Sequence, residues 1–477
     1  MSMKKNLLSL AFAALLLPAN AASFMIDGKE YAYDLITSKS IGPGVVYNRI
    51  RIPDFPLNIN YMTVDVSNPY NRIENQQANE QIGTTEKLEG AYIRMQEAGK
   101  KPLGAQNANF WVVNGHGLPN NRYAMGTTFN ANVKNGQIIT ETNNYSDQWV
   151  GGPTRSGVIG IDKNKNLRIE AMEYRGWLSS EKWGDWRAEI IQCNRFGRRN
   201  EMVMFNSYYP KNKPFPIIEW GNDINDYRLV EGENTEVYLD LEDGQKWAIG
   251  KDFTAIVKEI KTNTSGGVLG DYDLCLTANG DNYLPKVNQL AVGDKVTLNF
   301  GWRSFEKNDI PEFENVVGGN AIVLKNGELT DRNFGDDYND KVYSRSAYGM
   351  SEDGKTLYMF VIDLSQDPVY GRSSGCTTSV MCQIMKQLGA YTVCNVDAGG
   401  SAQLMVQGKV VNRTTESTPR AVANGWMVYS IAPNDDKSNV ITRIEFLDPE
   451  IKLPIYTTYK PVILGYNVYG ELISENV

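Results

Sequence analysis

Turn dipeptides set between alternating apolar and polar runs constrain this chain more than any other feature. Asn135-Gly136, Asn326-Gly327, Asp353-Gly354 and Gln407-Gly408 each lie between a pair of such runs. Asn, Asp and Gly tolerate the positive φ that a two-residue hairpin turn demands. The runs "VVYNRIRI" (45–52) and "LNINYMTVDV" (57–66) predict another hairpin across Pro53-Asp54-Phe55-Pro56. Helical spacing is confined to two stretches. Residues 84–98 have Thr84 or Thr85 as a cap and Gly99 as a stop, and residues 377–388 end at Gly389. The expected class is therefore α+β: β-rich mixed sheets with a few packed helices. A short all-β segment ends the chain.

At 477 residues the chain is too long for one ordinary core. Four regions are expected: a leader at 1–21, an N-terminal β-strand region at 22–80, a large domain at 81–432 and a C-terminal β-segment at 433–477. The leader reads as an export signal. Lys4 and Lys5 precede the apolar run Leu7–Leu17, and Ala19-Asn20-Ala21 offers a cleavage site after Ala21. That run is too short to span a bilayer. Export to a periplasm or the medium is the expectation, with no membrane-spanning segment.

Charge and histidine count narrow the chemistry. A net charge of −8 argues against a nucleic-acid partner. His116 is the one histidine, so histidine-rich zinc sites are excluded and acid–base work falls mainly on Asp, Glu, Tyr or Lys. The five cysteines, Cys193, Cys275, Cys376, Cys382 and Cys394, have no zinc-ligand spacing, and their pairing is left open. Trp177, Trp183 and Trp186 serve either a core or a sugar-stacking surface.

The stretch "NVDAGGSAQLM" (395–405) is the most pointed motif. Taken alone, it is a strand ending in a tight Asx-capped turn. Its acid, two glycines and hydroxyl also suit a ligand brought close to the backbone. Together with the downstream "VVNRTTESTPRAVANGWMV", it resembles the signature of the phosphodiester glycosidase family. The matching positions are Asn395, Asp397, Gly399, Gly400 and Ser401, then Asn412, Arg413, Arg420 and Asn424. Further matches are Arg345–Gly349, Ile362-Asp363, Asn107–Trp111, Asn194-Arg195 and Val317-Gly318-Gly319. The likeness runs over roughly residues 85–430. Two departures stand out: Ala398 replaces the first glycine of a triplet, and Asn109 stands where Gly or Asp is usual.

The resemblance implies cleavage of a sugar C1–O bond in a sugar-1-phosphodiester, with N-acetylglucosamine as one candidate sugar. A phosphate monoester is a weakly basic leaving group. It calls for electrostatic stabilisation more than for a strong acid. Guanidinium forks supply this, which nominates Arg345 and Arg420. A carboxylate is needed at the anomeric carbon, which nominates Asp397 and Asp363. Asn107, Asn109, Asn395, Gly319, Gly399, Gly400 and Ser401 are the expected substrate contacts. No cofactor is required; a calcium or magnesium ion between Asp363 and Asp397 is left open. The expected partner is a carbohydrate or sugar phosphate. Two rival readings remain: a secreted glycan-binding protein that has lost catalysis, and a hydrolase of plain glycosidic bonds on the same fold.

Overall fold

The computed structural model describes residues 22–113, 125–142, 157–195, 200–216, 234–264, 266–447 and 453–477. The leader and His116 lie outside the described residues, as does most of the loop read at 207–234. The turn dipeptides do what their chemistry predicts. Asn135 and Gly136 adopt φ of 51° and 78°, Asn326 and Gly327 51° and 75°, and Gln407 and Gly408 48° and 80°. Each closes a tight antiparallel hairpin.

Two packed sheets carry the candidate site. The first has eight antiparallel strands in the spatial order Glu328–Leu329, Ala321–Lys325, Thr392–Asn395, Arg345–Met350, Thr356–Ile362, Leu57–Asp65, Val45–Ile52, Asp34–Gly42. The second has five: Lys409–Val410, Leu404–Val406, Lys101–Asn107, Asn424–Ser430, Asn71–Gln77. Alternation sends Met62, Val64, Tyr348, Met359 and Val361 of the first into contact with Leu404, Val406, Trp426 and Val428 of the second. Removing such apolar surface from water contributes roughly 25 cal/mol per Å².

A helix covers each outer face. Thr378–Gln387 lays Val380, Met381, Ile384 and Met385 on the eight-stranded sheet. Its cap is Thr377, whose hydroxyl accepts from the Val380 N–H at 3.3 Å, and Gly389 at φ 104° ends it. Leu88–Glu97 sets Leu88, Ala91 and Met95 against Met405, Met427 and Tyr429 of the five-stranded sheet. This helix starts later than its sequence suggests. The N-cap position falls on Lys87, and Thr84, three residues earlier, donates its hydroxyl to the carbonyls of Ala78 and Gln81 at 2.9 and 3.0 Å. The result is a helix–sheet–sheet–helix stack.

The boundary expected at residue 80 does not separate two units. Leu57–Asp65 is an interior strand of the eight-stranded sheet, bonded to Thr356–Ile362 from far along the chain. Residues between the two site-bearing halves add a third, twelve-stranded sheet with a core of its own, including Leu178, Leu239, Phe300 and Trp302. It is mixed, because Gln192–Cys193 runs parallel to Met202–Asn206. The C-terminal segment forms three strands, Arg443–Phe446, Ile463–Tyr466 and Leu472–Ser474. It docks through Glu471, which meets Lys101 at 3.1 Å and Ser430 Oγ at 2.6 Å. All five cysteines are buried free thiols. Among the described residues no helix is long and apolar enough to cross a membrane.

Candidate active site

Strand Thr392–Asn395 delivers Asp397 to the end of the eight-stranded sheet. Two bonds fix its backbone there. Its N–H donates to the Ala108 carbonyl at 3.0 Å, and its carbonyl accepts from Asn107 Nδ2 at 2.6 Å. Asn107 Oδ1 in turn accepts from Ser346 Oγ at 2.9 Å and the Gln403 N–H at 3.1 Å. Asn107 thus binds both sheets to the turn that carries the acid.

The turn explains its own residues. Ala398 is extended, at φ −127° and ψ −154°, so a methyl group there costs nothing, although the motif it resembles has glycine at that place. Gly399 takes φ 62°, the left-handed region where glycine is at ease. Gly400 leaves room for the ends of two long side chains. A Cβ on it would stand 2.3 Å from Arg420 Nη2 and 2.6 Å from Glu416 Oε1. Arg420 lies flat on this turn, donating from Nη1 to Ser401 Oγ at 3.4 Å and from Nε to Glu416 Oε1 at 3.0 Å. Ser344 Oγ donates to the Gly399 carbonyl at 2.9 Å and steadies the turn from below.

Burial pushes the Asp397 carboxyl up to about 6. The Ser401 hydroxyl, the Arg420 charge, the Ala398 N–H and the Trp111 indole oppose the rise. The Trp111 N–H has no full hydrogen bond and faces this carboxylate. Tyr338 stands on another side; burial and the Asp397 charge hold its phenol well above its usual range, so it stays protonated. The Phe110 ring meets Tyr338 edge-on, with centroids 5.3 Å apart. A partly exposed acid, one guanidinium, a hydroxyl and three aromatic walls therefore share one place. Such a set can bind an anion beside an ionised carboxylate and a ring-shaped neighbour.

The other expected site residues are placed differently. Arg345 is fully buried and spends its guanidinium on backbone carbonyls: Cys376 at 2.9 Å, Tyr338 at 2.9 Å, Asn339 at 3.2 Å, and Lys341. Its cation also lies 5.3 Å from the Tyr338 ring centroid. It anchors the Tyr338 loop and offers no open fork. Asn109 donates to the carbonyls of Asn130 and Ala131 and accepts from Gly318 and Asn424, so it joins strands. Asn395 bonds Asn339 and the Ala321 N–H. Gly319 makes room for Cys394, whose Sγ would lie 2.3 Å from an added Cβ. These three build the floor beneath the turn.

Asp363 is a further departure from expectation. It ends strand Thr356–Ile362, and Arg345–Met350 lies between that strand and the one leading to Asp397. It is fully buried, and burial pushes its carboxyl up to about 7. Neither oxygen meets strict hydrogen-bond geometry; the Arg413 N–H, the Asn412 amide and the Arg49 and Arg413 charges only partly oppose the rise. The groups acting on Asp363 are not those acting on Asp397. A cation shared by the two acids has no support in this arrangement. Among the described residues no group of three or more His, Cys, Asp or Glu could hold a metal. Trp111, Tyr338, Ser344 and Glu416 went unassigned in the sequence. Trp111 was signalled by its place in the Asn107–Trp111 motif; Tyr338 sits in an acid-rich loop with no such signal.

Residues 254–429 match the model of the phosphodiester glycosidase family. The match bears out the resemblance read from the motifs and covers Asp397, Ser401 and Arg420. No curated protein matches the chain. Among solved structures, a Burkholderia pseudomallei protein described as exported aligns at 14% identity and TM-score 0.62, covering 86% of this chain and all of that one. A hypothetical protein from Synechocystis aligns at 17% identity and TM-score 0.54, covering 81% of this chain. The chain spans 62% of the Synechocystis protein. The catalytic domain of zebrafish N-acetylglucosamine-1-phosphodiester α-N-acetylglucosaminidase aligns at 11% identity and TM-score 0.36, over 85% of this chain and 88% of that domain.

Proposed function

We propose that this protein is an exported hydrolase that cleaves the anomeric C1–O bond of a sugar-1-phosphodiester. The observation that carries the reading is the packing of Arg420 and Ser401 against the same turn as Asp397. Arg420, paired to Glu416 through Nε and Nη2 and reaching the buried Ser401 hydroxyl through Nη1, is the cation that holds the phosphate. Its charge stabilises the departing phosphomonoester, which needs no strong acid. Asp397, ionised at neutral pH, either attacks C1 or takes the proton of a water that does so. The aromatic walls of Phe110, Trp111 and Tyr338 flank the sugar ring. Arg345 acts by holding Tyr338 in place. The buried Asp363 is assigned to support of the Asn412-Arg413 segment.

A glycan-binding protein without catalysis is the weaker reading, since its first motive, Ala398, costs the turn nothing. The test is an assay of the purified protein on N-acetylglucosamine-1-phospho-methylmannoside. Free sugar and phosphomonoester are expected, with Asp397→Asn inactive. Full activity in Asp397→Asn removes the assignment.

A further inference from the structure

A groove of about 700 Å³ crosses the twelve-stranded sheet where Ser179, Arg187, Thr254 and Thr297 line it. None of its lining residues belongs to the two sheets that carry Asp397. Strand register shows how it is built. Ser179 pairs with Arg187 on one side and Thr297 on the other, and Thr297 pairs with Thr254. Antiparallel partners point to the same face, so Arg187, Ser179, Thr297 and Thr254 form one straight row across four strands. At about 4.8 Å per strand the row is about 14 Å long. A second row runs beside it. Glu189 and Asn299 flank Trp177, and Asn299 Nδ2 donates to Asp252 at 2.6 Å.

The polar groups of the first row are uncommitted. The hydroxyls of Ser179, Thr254 and Thr297 make no hydrogen bond to protein among the described residues, and Arg187 has no carboxylate partner. Its guanidinium lies instead 4.2 Å from the centroid of the half-buried Trp177 ring. Glu181, Asp185 and the ion pair of Lys295 with Glu242 complete the lining, and the Glu181 charge reaches Lys295. The lining holds three acids and two bases, so it suits neither a polyanion nor a polycation. Free hydroxyls, carboxylates and a guanidinium in a line match a ligand whose groups both donate and accept along its length.

We propose that this groove is a binding site for a neutral oligosaccharide lying across the strands, separate from the Asp397 site. The row supplies hydroxyl-matched hydrogen bonds, and the Arg187 guanidinium, laid over Trp177, supplies a planar donor at one end. Binding here holds a glycan chain to the protein without cleaving it, and does not depend on the reaction proposed at Asp397.

Affinity electrophoresis and calorimetry with chitohexaose, cellohexaose and laminarihexaose test this on the full protein. At least one is expected to bind. Thr297→Lys, which fills the middle of the row, should weaken that binding about tenfold or more, and Arg187→Ala should weaken it too. Asp397→Asn should bind as well as the parent. Circular dichroism and turnover at the Asp397 site report that the groove variants still fold. Failure of all three glycans to bind overturns the proposal. So does binding that survives Thr297→Lys in a folded protein, or that is lost in Asp397→Asn.

Discussion

The guanidinium of Arg420 lies on the bare Cα of Gly400, and a single added carbon at that glycine would stand 2.3 Å from Nη2. The space left by a missing side chain is what brings a cation onto the turn that carries Asp397. Gly400→Ala should therefore push Arg420 and Glu416 off the turn while leaving the sheets intact. Turnover is expected to fall about tenfold to a hundredfold, with little change in melting temperature. Ala398→Gly should leave activity near the parent's, because residue 398 is already extended. Steady-state kinetics and thermal melts on the two variants check both.

Asp397 must be ionised to act as nucleophile or base, and its carboxyl sits at about 6. The rate at low substrate is expected to fall as pH drops through 6 and to level off above 7. A pH–rate profile on a sugar-1-phosphodiester measures this. A limb falling near the ordinary carboxylate value of about 4 would show that burial does not tune the acid.

Asp363 gives a prediction about stability. Its folded value, about 7, is raised from 3.8. Between those values the folded chain keeps a proton that the unfolded chain has lost. Stability therefore falls as pH rises through that window, and it is fully present only below the lower value. Asp363→Asn removes this penalty. The variant should melt above the parent at pH 8 and near it at pH 4. It should also keep most of its activity, unlike Asp397→Asn.

Arg345 ties the loop Tyr338–Lys341 and Cys376 to a strand edge from a fully buried position. Arg345→Ala would leave those carbonyls without their charged donor. A loss of about 3 kcal/mol or more is expected in denaturant melts. Arg345→Lys should restore only part of it, since Nε holds the Cys376 carbonyl and Nη2 the other three, and one ammonium cannot reach both places.

How much of this was legible beforehand varies by element. The Asn-Gly hairpins and the helix ended by Gly389 were readable because their signals are local: a φ preference, helical spacing and a terminal glycine. The Asp397 turn was readable because its chemistry is compressed into five consecutive residues. The membership of Leu57–Asp65 in the main sheet was not, because its partner strand lies nearly 300 positions away and register leaves no local mark. The roles of Arg345 and Asp363 were obscured for a related reason. Both lie at the expected sheet end, yet whether a side chain faces an opening or the core is decided by neighbours such as Tyr338, Asn412 and Arg413. Asn109 is alike: its composition suggests a sugar contact, and its four bonds to the fold use up that capacity.

The most direct test of the account is to run the reaction in oxygen-labelled water and find where the label goes. Attack at the anomeric carbon under Asp397, with Arg420 holding the departing phosphate, places it in the hydroxyl at C1 of the released sugar. No label should enter the phosphomonoester. Label found in the phosphate would mean that the P–O bond breaks, and would contradict the assignment of Asp397 and Arg420 made here.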